Sequence, residues 1–425
     1  MSTIRYALNE IPGVKDMISG TIDTCSNILK LNKVECRTSN NATYSVIRYD
    51  KNFLACDLIP TYGLCRALIV NNQNKVVSFA PPKSIPSDKF IQSYNEKMEG
   101  IVAEEFVEGT MINVFWDPSV GLTGGWEIAT RNTPGATSSF FKGAKGSKGK
   151  TFREMFLEAA ANCNLVLHML NPLYCYSFVL QHPENRIVVP FNKPQLYLTG
   201  VYSIEHVDDN IFVHVFEPRV LKSGLELVNV TIQFPEIYHF DTYAELIEKY
   251  ASMNTSYNIV GVMLHNRVTG ERSKIRNPVY EQVRGLRGNQ PKLQYQYLSL
   301  RKEGKVCDFL KFYPEKKKEL SAFRDQVHLF TNTLFDNYKA CYIKKEKPLK
   351  EYPEQYRTHM FNIHQIYLTD LREQGLFINS TIVQKYVNEM HPSLLMFCLN
   401  YQMRKRNVDS IPPLGKVEPN LSTLS

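Results

Sequence analysis

Near residue 295 the hydrophobic period of the chain changes, and the change limits which architectures are open to it. Before that point the apolar residues come in short runs closed by turn formers: Tyr44–Tyr49, Lys75–Phe79, Tyr174–Leu180, Leu196–Ile204, Phe212–Phe216 and Ile259–Leu264. Such runs read as strands joined by hairpins. Beyond it, Leu320, Phe323, Val327, Phe330, Leu334, Tyr338 and Cys341 recur at three- and four-residue steps, one apolar stripe on a long helix. Met360, Ile363, Tyr367 and Leu371 begin a second helix; Ile382, Tyr386 and Val387, then Leu394, Leu395, Phe397 and Cys398 behind Pro392, give two more. Strands followed by helices predict an α+β protein of antiparallel sheets with a helical C-terminal domain. The expected divisions are a helical or irregular extension over 1–43, a strand-rich domain over 44–290, a helical domain over 295–407 and a flexible tail over 408–425 rich in Ser, Pro and Asn. In the extension, Val14, Met17, Ile18 and Ile22 stand at helical spacing.

Inside the strand-rich part, Glu104–Asp117 reads as a strand, a Glu-Gly-Thr turn at Glu108-Gly109-Thr110 and an aromatic strand. Upstream, Phe53–Asp57 and Tyr62–Val70 are predicted as strands, and Ala80-Pro81-Pro82-Lys83 as an extended segment projecting one cation. The strand Gly125–Thr130 ends in a small polar loop carrying Arg131. Lys142–Lys150 is a Gly/Lys/Ser loop, after which Thr151 and Glu154 form a capping box at a helix start. A helix is expected from Thr242 to Ala251.

A chain of 425 residues is long enough for two or three cores. A net charge of +8 and a pI near 8.8 favour polyanionic partners without the strong excess of a dedicated nucleic-acid binder. The surplus gathers at Lys142–Lys150 and Lys311–Lys350, as solvated faces or as phosphate contacts. No apolar run reaches the ~18 residues that span a bilayer, and nothing resembles a secretory signal. Nine cysteines without CxxC pairs and ten histidines without metal spacing exclude a disulfide framework and a zinc site on pattern. The expected setting is a reducing intracellular compartment.

Gly63-Leu64-Cys65-Arg66 with Val76–Lys83, then Thr130-Arg131-Asn132-Thr133, Pro183-Glu184-Asn185-Arg186-Ile187-Val188-Val189, Val260-Gly261-Val262-Met263 and Lys274-Ile275-Arg276 keep an order that is more telling than any one of them. In that order they resemble the RNA ligase 1-like family of phages and large DNA viruses, within the covalent nucleotidyltransferases, over roughly residues 44–290. The resemblance implies a nucleotidyltransferase (ATP-dependent RNA ligase) fold, ATP and Mg2+ as cofactors, RNA as partner, and a helical RNA-binding or protein-binding appendage. It also suggests a host cytoplasm, virus factory or virion as the location. It carries Lys83, Arg131, Arg186, Lys274 and Arg276 over as phosphate-binding residues and Glu108 as a ribose contact. In such enzymes a lysine amine attacks the ATP α-phosphate, AMP passes to an RNA 5′-phosphate, and a 3′-hydroxyl displaces it.

The motif Lys-x-Asp-Gly would place that lysine at Phe106 and its acid at Glu108. An aromatic ring cannot attack phosphorus. Val179 and Val260 stand where the family has glutamates. Lys83, or Lys97 in the literal Lys-x-Glu-Gly of Lys97–Gly100, are candidate surrogate nucleophiles. Two readings stay open: a ligase-family protein acting on RNA ends with weakened or absent lysine adenylylation, or a pseudoenzyme serving as an RNA-binding or virion subunit. They differ over whether Phe106, Val179 and Val260 pack together or leave a lysine facing an acidic pocket. The cations could also be solvated strand ends, Glu108 plain turn chemistry, and Phe115, Trp116, Phe140 and Phe141 either base-stacking or core.

Overall fold

The computed structural model of the protein describes residues 4–21, 30–38, 41–95, 100–139, 149–221 and 229–404. Ile22, Lys97, Phe140, Phe141, most of the Lys142–Lys150 loop and the tail over 408–425 lie outside the described residues. The chain divides into two compact units, Met1–Pro291 and Lys292–Ser425. Among the described residues no helix is long and apolar enough to cross a membrane.

The first unit carries β1 (Ile4–Ala7), β2 (Leu31–Arg37), β3 (Thr43–Tyr49), β4 (Leu68–Asn71), β5 (Val76–Ser78), β6 (Ile101–Glu105), β7 (Thr110–Asp117), β8 (Gly125–Thr130), β9 (Tyr174–Gln181), β10 (Gln195–Val207), β11 (Asn210–Phe216), β12 (Ile237–Tyr238), β13 (Gly261–Asn266) and β14 (Arg272–Arg276). They form three sheets, ordered β1-β11-β10-β9-β7-β8, β12-β6-β13-β14 and β2-β3-β4-β5. Every ladder is antiparallel. The α+β class with antiparallel sheets and a helical C-terminal region is the one the periodicity predicts.

Where a helical or irregular extension is expected over 1–43, the described residues there form two paired strands beside a helix. β1 pairs with β11, two hundred positions away, and β2 pairs with β3. The helix Val14–Ser19 does bury Val14, Met17 and Ile18. These residues join Phe79, Phe115 and Tyr202 in the core between the six-stranded sheet and the β2–β5 sheet. Phe53–Asp57 is a turn and a short 3-10 segment rather than a strand. Ile59–Tyr62 is a helical turn with a proline at its start, so the following strand begins only at Leu68.

The opposite face of the six-stranded sheet is covered by the helix Phe152–Asn162. Its capping box forms as expected, Thr151 and Glu154 each satisfying the other's backbone N–H. The β12-β6-β13-β14 sheet buries Ile101, Ala103, Val262, Leu264 and Ile275 under the helices Ser87–Ser93 and Tyr243–Tyr250. Strand alternation therefore turns Glu104, Met263, Arg272, Lys274 and Arg276 to its other face.

The second unit is helical throughout its described length. Its longest described helix, Lys317–Tyr338, buries Leu320, Val327, Phe330, Leu334 and Tyr338 of the predicted stripe, while Phe323 and Cys341 are only partly buried, Cys341 beyond the helix end. The helices Glu354–Ile366, Ser380–Glu389 and Pro392–Leu399 follow, the last opened by Pro392. Two of the helices end in π-helical turns, Lys339–Ile343 and Tyr367–Leu371. Between these turns Tyr342 stacks on His364 with centroids 3.9 Å apart.

Candidate functional site

The chain crosses from one sheet to the next through Phe106–Gly109, between β6 and β7. Two glycines make the crossing possible. Gly109 has φ 149°, and a Cβ there would meet the Leu180 carbonyl oxygen at 2.4 Å and Val179 Cγ1 at 2.7 Å. Gly261 has φ 136°, and its Cβ would lie 2.0 Å from the Ile275 carbonyl oxygen. Only a residue without a side chain fits either position.

Gly261 pairs with Arg276 across β13 and β14, and its carbonyl accepts the Phe106 N–H at 3.3 Å. Because Gly261 offers no side chain, the Arg276 guanidinium reaches across it and lies 5.6 Å from the centre of the Phe106 ring, a cation–π contact. Arg276 also pairs with Glu281. Next along the same ladders stand Lys274, Met263 and Glu104 in one row.

Three loops bring further cations to this face. Ile85 N–H donates to the Arg272 carbonyl and Ser273 Oγ donates to the Ile85 carbonyl, each at 2.9 Å, so the segment after Pro81-Pro82 docks along β14. That segment holds Lys83, whose N–H donates to the Gly63 carbonyl at 2.9 Å. Arg66 Nη1 donates to the Pro81 carbonyl at 3.3 Å. Arg131, just past β8, lies 5.5 Å from the Tyr49 ring centre and donates to its hydroxyl.

These cations depress one another. Burial first, then Arg272 and Arg131, lower the Arg66 guanidinium to about 10. Burial, Arg66 and Arg131 lower Lys83. Lys274 falls to about 8 through burial and the charges of Arg276, Lys83, Arg66 and Arg272. Burial lowers Arg272 against the partial support of Tyr202, Tyr6 and Glu104. Among the described residues no carboxylate lies within ion-pair distance of Arg66, Lys83, Arg131, Arg272 or Lys274. The Nε atoms of Arg131 and Arg272 are buried without a hydrogen-bond partner. Cations gathered in low dielectric without anions are costly until a ligand supplies the negative charge.

A cavity of about 300 Å³ opens between the sheets beside Arg272, lined by Tyr6, Thr199 and Tyr202 on one side and Glu104 and His265 on the other. Burial raises Glu104, with Glu217 adding to the rise and Arg219, Arg267 and Arg272 opposing it; Arg267 lies 3.8 Å away and the His265 ring 3.6 Å away. His265 is lowered to about 3 by burial and by Arg272 and Arg267.

The other side of the Phe106 turn differs. There a cavity of about 220 Å³ is lined by Glu105, Phe106, Glu108, Gln181, Phe191 and Val260, among others. Phe106 and Val260 thus border one space, and Val179 packs over the adjoining Gly109. Lys83 is not among the residues lining it. Glu108 is buried, accepting from Val188 N–H at 2.6 Å and from Val189 N–H at 3.0 Å. Burial raises its carboxyl against those bonds and the nearby Arg186. Arg186 Nε donates to the Val188 carbonyl at 2.9 Å, beside Glu108.

The structure thus brings Lys83, Arg131, Lys274 and Arg276 into one electrostatic cluster, ties Glu108 to the backbone of Val188 and Val189 with Arg186 beside it in the same segment, and does not describe Lys97. Sequence reading missed Arg66 and Arg272. Arg272 could have been found from its two-residue spacing to Lys274 and Arg276 on one strand face; Arg66 closes the Gly63-Leu64-Cys65-Arg66 motif but was given no role of its own. Phe115 is core, and Trp116 packs edge-on against Trp126. Among the described residues no group of three His, Cys, Asp or Glu side chains could hold a metal ion.

No family model matches the chain. Over 278 residues it is 25% identical to an RNA ligase of Rhodothermus phage RM378, covering 60% of this chain and 61% of that protein. The chain therefore spans under two thirds of the length of the curated relative it matches. Among solved structures, an archaeal ATP-dependent RNA ligase aligns over 93% of this chain and 96% of its own, at 9% identity and a TM-score of 0.40. A mutant Naegleria gruberi RNA ligase with ATP and Mn aligns over 48% of this chain and 58% of its own, at 12% identity and a TM-score of 0.34.

Proposed function

We propose that this chain is an RNA ligase-family nucleotidyltransferase, a reading its 25% identity to the phage RNA ligase supports, and that it grips the phosphates of a nucleotide and of RNA ends in the cleft faced by β14. Residue 106 forms no lysyl-AMP there. The observation that supports this reading is the set of cations Arg66, Lys83, Arg131, Arg272 and Lys274, held together without carboxylate partners among the described residues. A polyphosphate is the ligand whose charge and oxygen geometry such a set would take.

Each group has a definable task. Arg272 and Lys274 stand two residues apart on a rigid strand and would contact successive phosphate oxygens. Arg66 and Lys83, tied to each other through Pro81 and Gly63, would close on the same charge from the loop side. Arg276, held over Phe106, would bear on whichever phosphate approaches that ring. ATP fits the cations. Magnesium finds no set of side-chain donors among the described residues, so a divalent ion would be carried on the nucleotide's own phosphate oxygens. The domain division near residue 290 and an RNA- or protein-binding role for the helical unit belong to the same proposal.

The pseudoenzyme alternative draws on one specific feature. Phe106 and Val260 share the border of one cavity, and Glu108 is occupied by two backbone donors.

The test is equilibrium binding of a 5′-phosphorylated single-stranded RNA and of ATP across a salt series. Affinity is expected to fall linearly on logarithmic axes, with a slope shallower by about 0.7 in Arg272→Ala. Binding that ignores salt, or that Arg272→Ala and Lys83→Ala leave intact, would overturn the proposal.

A further inference from the structure

Loss of the amine at residue 106 leaves open whether any other amine in the cleft could take its place. The candidates narrow quickly. A substitute must face the cleft from a rigid element, lack a carboxylate that would hold it protonated, and lie within side-chain reach of a phosphate placed near Phe106.

Lys274 meets these conditions. β14 presents it on the same face as Arg276, whose guanidinium covers Phe106. One two-residue step separates the two, about 7 Å along a strand, which is within the span of a lysine side chain. Opposite it stands Met263, an apolar neighbour, and beyond Met263 lies Glu104, engaged with His265 and Arg267. Lys83 sits on a loop rather than a strand.

We infer that Lys274 is the residue that accepts AMP from ATP in this protein, a nucleophile moved from the end of β6 to β14. The neutral Lys274 Nζ lone pair forms a P–N bond to the α-phosphorus. The P–O bond between the α- and β-phosphates breaks as it does so, pyrophosphate leaves, and Nζ releases a proton to solvent. Burial and the four cations nearest Lys274 favour the neutral amine: Arg276 and Arg272 on its own strand, Lys83 and Arg66 from the loops; Glu104, the carboxylate in the same row, is set off by Met263. Arg276 and Arg272 flank it as donors for charge developing on the phosphate.

The inference rests on the phosphate-gripping reading, and its experiment separates the two. The full chain is incubated with α-labelled ATP and manganese or magnesium, denatured, digested and mapped by mass spectrometry; ATP affinity is measured in parallel. The expected result is AMP on the peptide bearing Lys274. It should be lost in Lys274→Arg, which keeps the cation, while ATP affinity persists. A second readout needs no turnover: limiting acetic anhydride near pH 8 should modify Lys274 ahead of exposed lysines, and ATP should protect it. ATP binding without label, or label on another lysine such as Lys83 or Lys97, overturns the assignment of Lys274 and spares the binding proposal. Absence of ATP binding overturns both.

Discussion

The two sides of the Phe106 turn carry opposite charge and are handled in opposite ways. On the β14 side, five cations stand with no carboxylate within ion-pair distance among the described residues, Glu104 acting on Arg272 only from farther off. On the other side, the one buried acid of the turn, Glu108, is saturated by the backbone N–H groups of Val188 and Val189. A buried charge with partners is part of the fold, and the segment it holds would come loose without it. A cluster of like charges without partners weakens the fold and makes sense only through a ligand. Glu108 is thus tied into the fold by backbone donors, whereas the cations are the groups on which the phosphate-gripping proposal rests.

The seam between the sides offers the largest effect. Gly261→Ala drives a Cβ into the Ile275 carbonyl at φ 136° and is expected to cost about 3 kcal/mol or more in denaturant unfolding. Were it tolerated, the approach of Arg276 over Phe106 would not depend on a bare backbone. Glu108→Ala comes next: stripping two buried N–H groups of their acceptor should destabilise by about 2 kcal/mol and leave the salt slope of RNA binding unchanged. A changed slope would move Glu108 to the functional side.

Lys274→Met should have the opposite sign. Removing a cation whose neighbours are cations is expected to stabilise the fold at pH 7 by about 0.5–2 kcal/mol while weakening ATP and RNA binding. Loss of both stability and binding would show that the cluster holds the fold together.

The smallest effect is a pH dependence. His265 binds a proton in the unfolded chain below its ordinary value near 6.5 but in the folded protein only near 3. Its contribution is therefore fully present above pH 6.5 and is lost as pH falls toward 3. Glu104, raised by burial, acts in the opposite direction, its contribution present at low pH and lost as pH rises. His265→Gln should flatten the acid limb of an unfolding-midpoint profile; an unchanged limb would remove His265 from the cleft's electrostatics.

Local chemistry was readable where it is self-contained. The Thr151–Glu154 box, the helix at Pro392 and the stripe from Leu320 to Tyr338 depend on residues three or four apart, so sequence determines them. The continuous apolar run of β9 and the alternation at the start of β10 were readable for the same reason. The short β1 was not, because only β11 makes it a strand, and Phe53–Asp57 shows apolar residues whose backbone follows its turn instead.

At the site, the sequence alone determined that Phe106 cannot be a nucleophile and that glycines stand at 109 and 261, since both are matters of residue chemistry. The tertiary structure decided which cations meet, that Arg66 and Arg272 belong with them, and that Glu108 is engaged by backbone. Charge–charge coupling and burial act through space between strands and loops far apart in sequence, and neither is written in the spacing of any one motif.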